Sequence, residues 1–380
     1  MTSATDIQSL FALGERSADI VTAGKVEDGV GLCLSGGGYR AMLYHVGALR
    51  RLNAHGMLPQ LTEIASVSGG SITAGVLALA WRKLEFDEGG QAVNFESEIA
   101  EPIMRFARIG VDVTAVIKGL VPWRTAADGV AEAYDRHLFS GATLQDVVDR
   151  PRFTFMATNL QAGSGWRFAK DYAADYRVGR IVRPGFSLAR VVAASSAFPP
   201  VLSPARFDFA GHTVERLEGA DLHRPPFTER AVLTDGGVYD NLGLERVWKR
   251  CRTVLVSNAG RTIPDIGNPA GHWVGQAFRT LGLVQQQAEN SRRRLLFSMA
   301  NAGQRRVVYW SVDTPISAYG LNEPPMVADL DCARAAVIRT RLNPFSPDEI
   351  DLLLRVGYAG ADASIRLRRI CTENLSAVSF

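Results

Sequence analysis

The apolar positions of the first 81 residues fall into one pattern used twice. Val30-Gly31-Leu32-Cys33-Leu34 reads as a short buried strand that runs into Ser35-Gly36-Gly37-Gly38. Met42, Leu43, Val46, Leu49 and Leu52 then recur at helical spacing, which predicts a helix from about Tyr39 to His55, stopped by Gly56. Glu63 to Val67 reads as a second strand. Ser68-Gly69-Gly70 turns the chain, and Ser71 to Trp81 forms a second helix rich in small residues. Two strand–turn–helix units in succession predict an α/β fold, with a parallel sheet covered by helices on both faces.

The pattern changes further along. Residues 1–27 read as a lead-in helix and a glycine-containing loop. In 84–150 the apolar residues Ile103, Phe106, Ile109, Val113, Ile117 and Leu120 lie three or four apart, as on one helix face. This helical insertion is either core or, with Trp123 following, a lid. Strands are expected at Phe153–Thr158, Ala231–Thr234, Val254–Ser257 and Arg306–Val312, and a helix at Leu188–Ala194. Residues 204–229 read as a polar excursion or loop. A long helix is expected over 272–300, and a last one from Pro347, capped by Ser346. The expected organisation is thus a lead-in (1–27), a main domain (28–260) and a mainly helical extension (261–380) packed on it.

Composition narrows the classes. With 47% hydrophobic and 21% charged residues the chain is globular rather than disordered. A net charge of +3 is too small to argue for a nucleic-acid partner, and it suits weak attraction to anionic lipid. The start lacks a basic segment followed by an apolar run, and no apolar stretch reaches the ~20 residues of a membrane span. A cytoplasmic location is therefore expected. Cys33, Cys251, Cys332 and Cys371 are scattered and read as free thiols. No metal-ligand spacing appears, so neither metal nor cofactor is expected.

Three motifs carry candidate chemistry, each at the end of a strand. Ser66-Val67-Ser68-Gly69-Gly70 has the setting of a nucleophile elbow, a sharp turn that needs small residues two away on each side. Gly70 meets that need, and Ser66 stands where the common G-x-S-x-G pattern has glycine. A Ser/Gly loop capping a helix is the plainer alternative. Ser35-Gly36-Gly37-Gly38-Tyr39-Arg40 exposes backbone amides and can nest an oxyanion or phosphate. Ala41 breaks the dinucleotide fingerprint, and no Gly-Lys-Ser/Thr follows. Thr234-Asp235-Gly236-Gly237 puts a carboxylate at a strand end, although Asp-Gly is also a common turn.

Taken in order, the three motifs resemble those of the patatin-like phospholipase family, over roughly residues 28–260. Ala194-Ser195-Ser196-Ala197-Phe198-Pro199-Pro200 resembles that family's serine- and proline-containing segment between the Ser and Asp motifs. Gly37-Gly38-Tyr39-Arg40-Ala41-Met42 is similar to the matching stretch of cytosolic phospholipase A2, a distant relative. The resemblance implies a three-layer α/β/α fold with a mainly parallel sheet and helical insertions. It implies Ser68 as nucleophile, Asp235 as base, and Gly36, Gly37 and Gly38 as the oxyanion loop. Arg40 would support a substrate phosphate or the oxyanion, and Ser66, Gly69 and Gly70 would support the elbow.

No histidine stands in a recognisable triad context, so a Ser–Asp dyad is the expected machinery. The implied activity is hydrolysis of acyl esters in membrane or micellar phospholipid, with peripheral membrane contact. Acyl transfer and thioester hydrolysis are near alternatives. A signal-activated membrane-degrading effector and a catalytically silent lipid-binding protein are others. Arg292-Arg293-Arg294, and Arg366, Arg368 and Arg369, read as solvated helix faces or as contacts for anionic lipid.

Overall fold

The computed structural model describes residues 26–109, 111, 125–322, 325–341 and 343–368. Strand β1 (Glu27–Leu34) leads into helix α1 (Gly38–Ala54), and β2 (Leu61–Val67) leads into α2 (Gly69–Ala80). Side chains alternate across these strands. Leu32, Leu34 and Ile64 join one buried cluster, while Cys33 and Ala65 join another on the opposite face. Both faces are therefore covered, which is why the strands read as near-continuous apolar runs. Residues of α1, α2 and α8 (Pro347–Leu367) close the first face. Leu242, Leu244, Val247 and Leu296 close the second.

Strand β3 (Arg152–Asn159), β10 (Cys251–Asn258) and β11 (Arg306–Ser311) complete a parallel group in the order β11-β10-β1-β2-β3. The sheet thus runs past residue 260, with Thr253 opposite Arg306. Helix α8 lies along α1, and the glycines Gly47 and Gly357 bring the two backbones into direct contact. The Ser346 side chain accepts from the Glu349 amide and completes a capping box at the start of α8, as its sequence predicts.

Beyond β3 the sheet turns antiparallel. Strands β4 (Ser164–Phe168), β5 (Tyr172–Asp175) and β6 (Gly179–Val182) form a meander that the sequence pattern does not announce. The stretch 204–229, expected to be loop, contains β7 (Ala205–Asp208) and β8 (Val214–Glu215), which pair with β9 (Arg230–Asp235) and β6. These strands have two and four residues, too short to show a period of two.

Helix α3 (Glu101–Ala107) and helix α4 (Ala126–Tyr134) pack into the main core. Ile103 and Phe106 are buried there, and Phe106 meets Tyr39 edge to face. The described part of the apolar stripe in 84–150 is therefore core. Val113, Ile117, Leu120 and Trp123 lie outside the described residues, as do Cys371, Arg369 and nearly all of the predicted lead-in. No described helix is long and apolar enough to cross a membrane.

Two further elements frame the site. Helix α5 (Leu188–Ser195) ends beneath it, and helix α6 (Trp273–Asn301) borders it. Helix α7 (Asp329–Val337) leads into the segment 338–341 that crosses it.

Candidate active site

Strand pairing brings the serine and aspartate motifs together. Residues 152–156 of β3 pair with β2, and residues 157–159 pair with β9 (Arg230–Asp235), which runs antiparallel. Strand β4 occupies the other edge of β3 across 155–159, so β2 and β9 share one edge and meet head to head. Val67 ends opposite Met156 and Asp235 ends opposite Ala157. The chain turns at Ser68 on one side of this junction and at Gly236 on the other.

Ser68 sits at φ 51°, ψ −121° and is the residue before α2. That backbone is strained for any residue with a Cβ, and strain of this kind at a strand-to-helix turn exposes the side chain. Packing holds it. A Cβ on Gly69 would stand 2.0 Å from the Gly38 carbonyl oxygen, and one on Gly70 would stand 2.4 Å from that of Leu34. Both positions must therefore lack a side chain for the elbow to rest on the glycine loop.

Hydroxyl groups brace the turn from below. The Ser68 amide donates to Ser195 Oγ (3.0 Å), and Ser195 Oγ donates to the Met156 carbonyl (2.6 Å). With that proton committed, Ser195 accepts from Ser71 Oγ (2.8 Å), and Ser71 in turn accepts from Ser66 Oγ (2.9 Å). Ser66, where glycine is usual, thus feeds a directed hydroxyl chain rather than crowding the elbow. The Ser195 carbonyl also accepts from the Gly236 amide (3.1 Å), and the Ala197 carbonyl from the Asp235 amide (2.9 Å). The end of α5 therefore ties the serine turn to the aspartate turn. Ser195 belongs to the serine- and proline-containing segment, but nothing in the sequence distinguishes it from Ser196.

The Asp235 carboxyl is buried. Its Oδ1 accepts from the Gly237 amide (2.7 Å), and Oδ2 has no hydrogen-bond partner. Burial pushes its pKa up to about 6, while the Gly237 amide and the neighbouring Ser68 hydroxyl pull the other way. The hydroxyl is thus close enough to act on the carboxyl, yet no ordinary hydrogen bond closes between them. Among the described residues no histidine is hydrogen-bonded to either group. His45, the histidine nearest in sequence to the glycine loop, is buried and held neutral, its pKa pushed down to about 4 by desolvation. Its Nε2 donates to the Ser35 carbonyl (2.9 Å), so Nδ1 accepts from Ser257 Oγ (2.8 Å), and the ring props the glycine loop from behind.

The three loop glycines differ. The Gly36 amide donates to the Asn241 carbonyl (3.0 Å), so it is committed to structure, and its missing side chain leaves room for Asn241 and Ser68. The amides of Gly37 (φ 137°) and Gly38 (φ 57°) find no acceptor among the described residues. They lie at the start of α1, and α2 starts just after Ser68, so two positive helix ends converge here. Arg40 is buried in the first turn of α1. Its Nε donates to the Ala259 carbonyl (3.1 Å), and Nη1 to those of Ala336 (2.8 Å) and Ile338 (3.1 Å). A Cβ on Gly37 would stand 3.7 Å from Nη2, so that nitrogen lies beside the loop. Burial lowers the Arg40 pKa to about 10, with Arg261 adding to the effect, and leaves it charged at neutral pH.

These groups line the floor of a cavity of about 850 Å³, which falls within the ~300–1,000 Å³ of typical ligand sites. Phe198, Val201, Leu202, Phe278 and Val337 give it an apolar side. Asn258, Arg261, Glu289 and Asp313 give it a polar one. Glu289 joins α6 to the site by accepting from Asn241 Nδ2 (3.0 Å) and Asn258 Nδ2 (2.8 Å). Asn241, Glu289 and the segment 338–341 carry no motif, and only their spatial approach reveals them. No group of three or more His, Cys, Asp or Glu side chains that could hold a metal ion occurs among the described residues.

Among curated proteins no relative matches the sequence. Solved structures of similar fold include human GIVD cytosolic phospholipase A2 (TM-score 0.53, 11% identity, 98% of this chain and 67% of that one). The same enzyme in complex with methyl gamma-linolenyl fluorophosphonate and terbium chloride gives 0.50 and 12%, over 98% and 65%. VipD from Legionella pneumophila is 16% identical, with a TM-score of 0.38 over 90% of this chain and 67% of that one. This chain therefore spans about two thirds of the length of these structures. At these identities the likeness to the cytosolic phospholipase A2 structures speaks to fold alone. The family model of patatin-like phospholipase matches residues 32–248, more than half of the chain and every motif described above. The chain belongs to the patatin-like phospholipase family, and it is a lipid ester hydrolase.

Proposed function

We propose that the protein cleaves acyl esters of glycerophospholipids with a Ser68–Asp235 dyad, by way of an acyl-enzyme. The observation that carries this reading is the pairing itself. Ser68 is strained upward at a strand–helix turn, beside a buried carboxylate whose Oδ2 has no hydrogen-bond partner.

The chemistry follows from the groups present. Ionised Asp235 accepts the Ser68 proton as Oγ attacks the ester carbonyl, since a hydroxyl is a poor nucleophile until a base takes its proton. Negative charge develops on the carbonyl oxygen, and the uncommitted Gly37 and Gly38 amides are its donors; one such donor typically contributes ~10²–10³ in rate. Protonated Asp235 returns the proton to the leaving alcohol, which gives the acyl-enzyme. Water then attacks the acyl carbonyl, Asp235 takes its proton and passes it to Ser68 Oγ as the acyl bond breaks, and the fatty acid leaves with both groups restored. Arg40 Nη2 supports the oxyanion or a substrate phosphate from beside Gly37. Ser66, Gly69 and Gly70 hold the elbow. The apolar side of the cavity suits an acyl chain, and the arginines at its polar side suit a phosphate headgroup. Peripheral contact with a membrane from the cytoplasm fits this substrate.

The test is fatty-acid release from phosphatidylcholine and phosphatidylglycerol micelles. Wild type releases fatty acid, and both Ser68→Ala and Asp235→Asn reduce release to background while circular dichroism is unchanged. Retained release in folded Ser68→Ala sinks the assignment. Release from triglyceride but from neither phospholipid keeps the dyad and overturns the phospholipid substrate.

A further inference from the structure

Arg40 cannot grip a phosphate by itself. A guanidinium carries five N–H donors in a planar fork, and it holds a phosphate best with two nitrogens at once. In Arg40 the Nε proton goes to the Ala259 carbonyl, and the Nη1 protons go to the carbonyls of Ala336 and Ile338. Among the described residues only Nη2 is left, beside Gly37. Every two-nitrogen edge of Arg40 therefore has a nitrogen committed to the protein. The side chain straps residues 336–338 and the end of β10 to the glycine loop, and one nitrogen remains for a ligand.

A second cation stands two residues beyond the carbonyl that Arg40 Nε holds. Arg261 lines the same cavity, is exposed, and forms no hydrogen bond or ion pair among the described residues. The chain around it is nevertheless fixed. The Gly260 amide donates to Asn258 Oδ1 (2.8 Å), the Thr262 amide and hydroxyl donate to Asp313 Oδ2 (3.0 Å each), and the Ile263 amide donates to Gln286 Oε1 (2.7 Å). The backbone is thus pinned on both sides of Arg261. Asp313 is already occupied, since its Oδ1 accepts from Ser311 Oγ (2.6 Å). Two other cavity arginines are committed as well: Arg339 pairs with Glu349, and Arg293 donates to Asn290 Oδ1 (2.9 Å). Arg261 is also close enough to act on Arg40. Burial lowers the Arg40 pKa most, the Arg261 charge lowers it further, and Asp313 opposes them. Two guanidinium groups therefore stand at one cavity wall with no carboxylate paired to either, and an anion bound between them relieves their repulsion. A glycerophospholipid carries such an anion a few bonds from its ester carbonyls.

We propose that Arg261 is a specificity-determining residue, whose uncommitted fork and Arg40 Nη2 together hold the headgroup phosphate and so favour a phospholipid over a neutral glyceride. This deepens the phospholipid reading of the site and rests on it. Two measurements separate the contact from the catalysis. The first is kcat/KM on dispersed dihexanoyl phosphatidylcholine and on dihexanoylglycerol, which share their acyl esters and differ in the headgroup. Wild type is expected to prefer the phospholipid, and Arg261→Gln to lower that preference about tenfold, as loss of a charge-assisted bidentate contact would. Arg261→Lys keeps the charge without the fork and is expected to fall between. Arg252→Gln, an equal loss of charge at a residue paired with Asp28 and absent from the cavity lining, is expected to leave the preference unmoved. Equal wild-type rates on the two esters, an unmoved preference in Arg261→Gln, or an equal shift in Arg252→Gln overturns the proposal. The second is calorimetric titration with dihexyl-ether phosphatidylcholine, which has no ester to hydrolyse, and with inorganic phosphate. The ether lipid is expected to bind Arg261→Gln about tenfold more weakly than wild type. Equal affinities overturn the proposal. So does inorganic phosphate that binds as tightly as the ether lipid, which would mark a site for free phosphate. If wild type cleaves neither ester, the catalytic reading fails, and the titration alone decides the phosphate contact.

Discussion

The pH dependence of ester cleavage follows from one buried group. Asp235 must be ionised to accept the Ser68 proton, and burial moves its pKa from the ordinary 3.8 to about 6. That difference is about 3 kcal/mol at 1.36 kcal/mol per unit. Below pH 6 the fraction of competent enzyme falls tenfold per unit, so at pH 5 about one tenth of the plateau rate remains. His45 is held neutral, with a pKa near 4, and supplies no competing inflection above that value. The assay is kcat/KM on p-nitrophenyl butyrate from pH 4.5 to 8.5 at fixed ionic strength, with circular dichroism at each pH to exclude unfolding. A single rise of unit slope with a midpoint near 6, then a plateau to neutral pH, is expected. A rate constant across the range, or a midpoint near 7 that disappears in a histidine variant, refutes the dyad chemistry.

Other consequences are equally concrete. The raised Asp235 pKa stabilises the fold below about 3.8, where both states are protonated, and that stability is lost as pH rises to about 6. Asp235→Asn should therefore raise Tm more at pH 8 than at pH 4.5, and an equal shift at both would show the carboxyl to be solvated. Ser195→Ala removes the acceptor of the Ser68 amide and leaves a buried N–H unsatisfied, at a cost of about 1–3 kcal/mol. A fall in kcat larger than the change in KM is expected, with the pH midpoint unmoved and partial rescue by Ser195→Thr. Gly38→Ala puts a Cβ 1.6 Å from the Thr340 carbonyl oxygen at φ 57°, so lost activity with lowered Tm is expected on thermal scanning. A fully active Gly38→Ala would mean that segment 338–341 does not lie on the glycine loop.

The parts of the fold that the sequence announces are those where two periodicities meet. Leu32 and Leu34 alternate with Cys33 across β1, and helical spacing starts within a few residues, at Met42, so the strand–turn–helix units are legible. Strands β5 to β8 have two to four residues each and no room for a period to register. The direction of β9 is also hidden, because Ala231 to Thr234 reads the same in either orientation. That direction is what brings Asp235 to Ser68. The motif glycines are visible as residues, but their division of labour is not: the commitment of the Gly36 amide to Asn241 arises from a residue 205 positions away. Ser195 and Ser196 are adjacent and chemically identical, and only the end of α5 decides which hydroxyl lies under the elbow.

Ser68 can be tested as the nucleophile by covalent trapping. Purified wild type is treated with a fluorophosphonate at pH 8, digested, and mapped by mass spectrometry, with Ser68→Ala and Asp235→Asn in parallel. One adduct per chain on the peptide containing Ser68 is expected, absent in Ser68→Ala and formed far more slowly in Asp235→Asn. Labelling of another serine, or undiminished labelling of folded Ser68→Ala, would contradict the dyad.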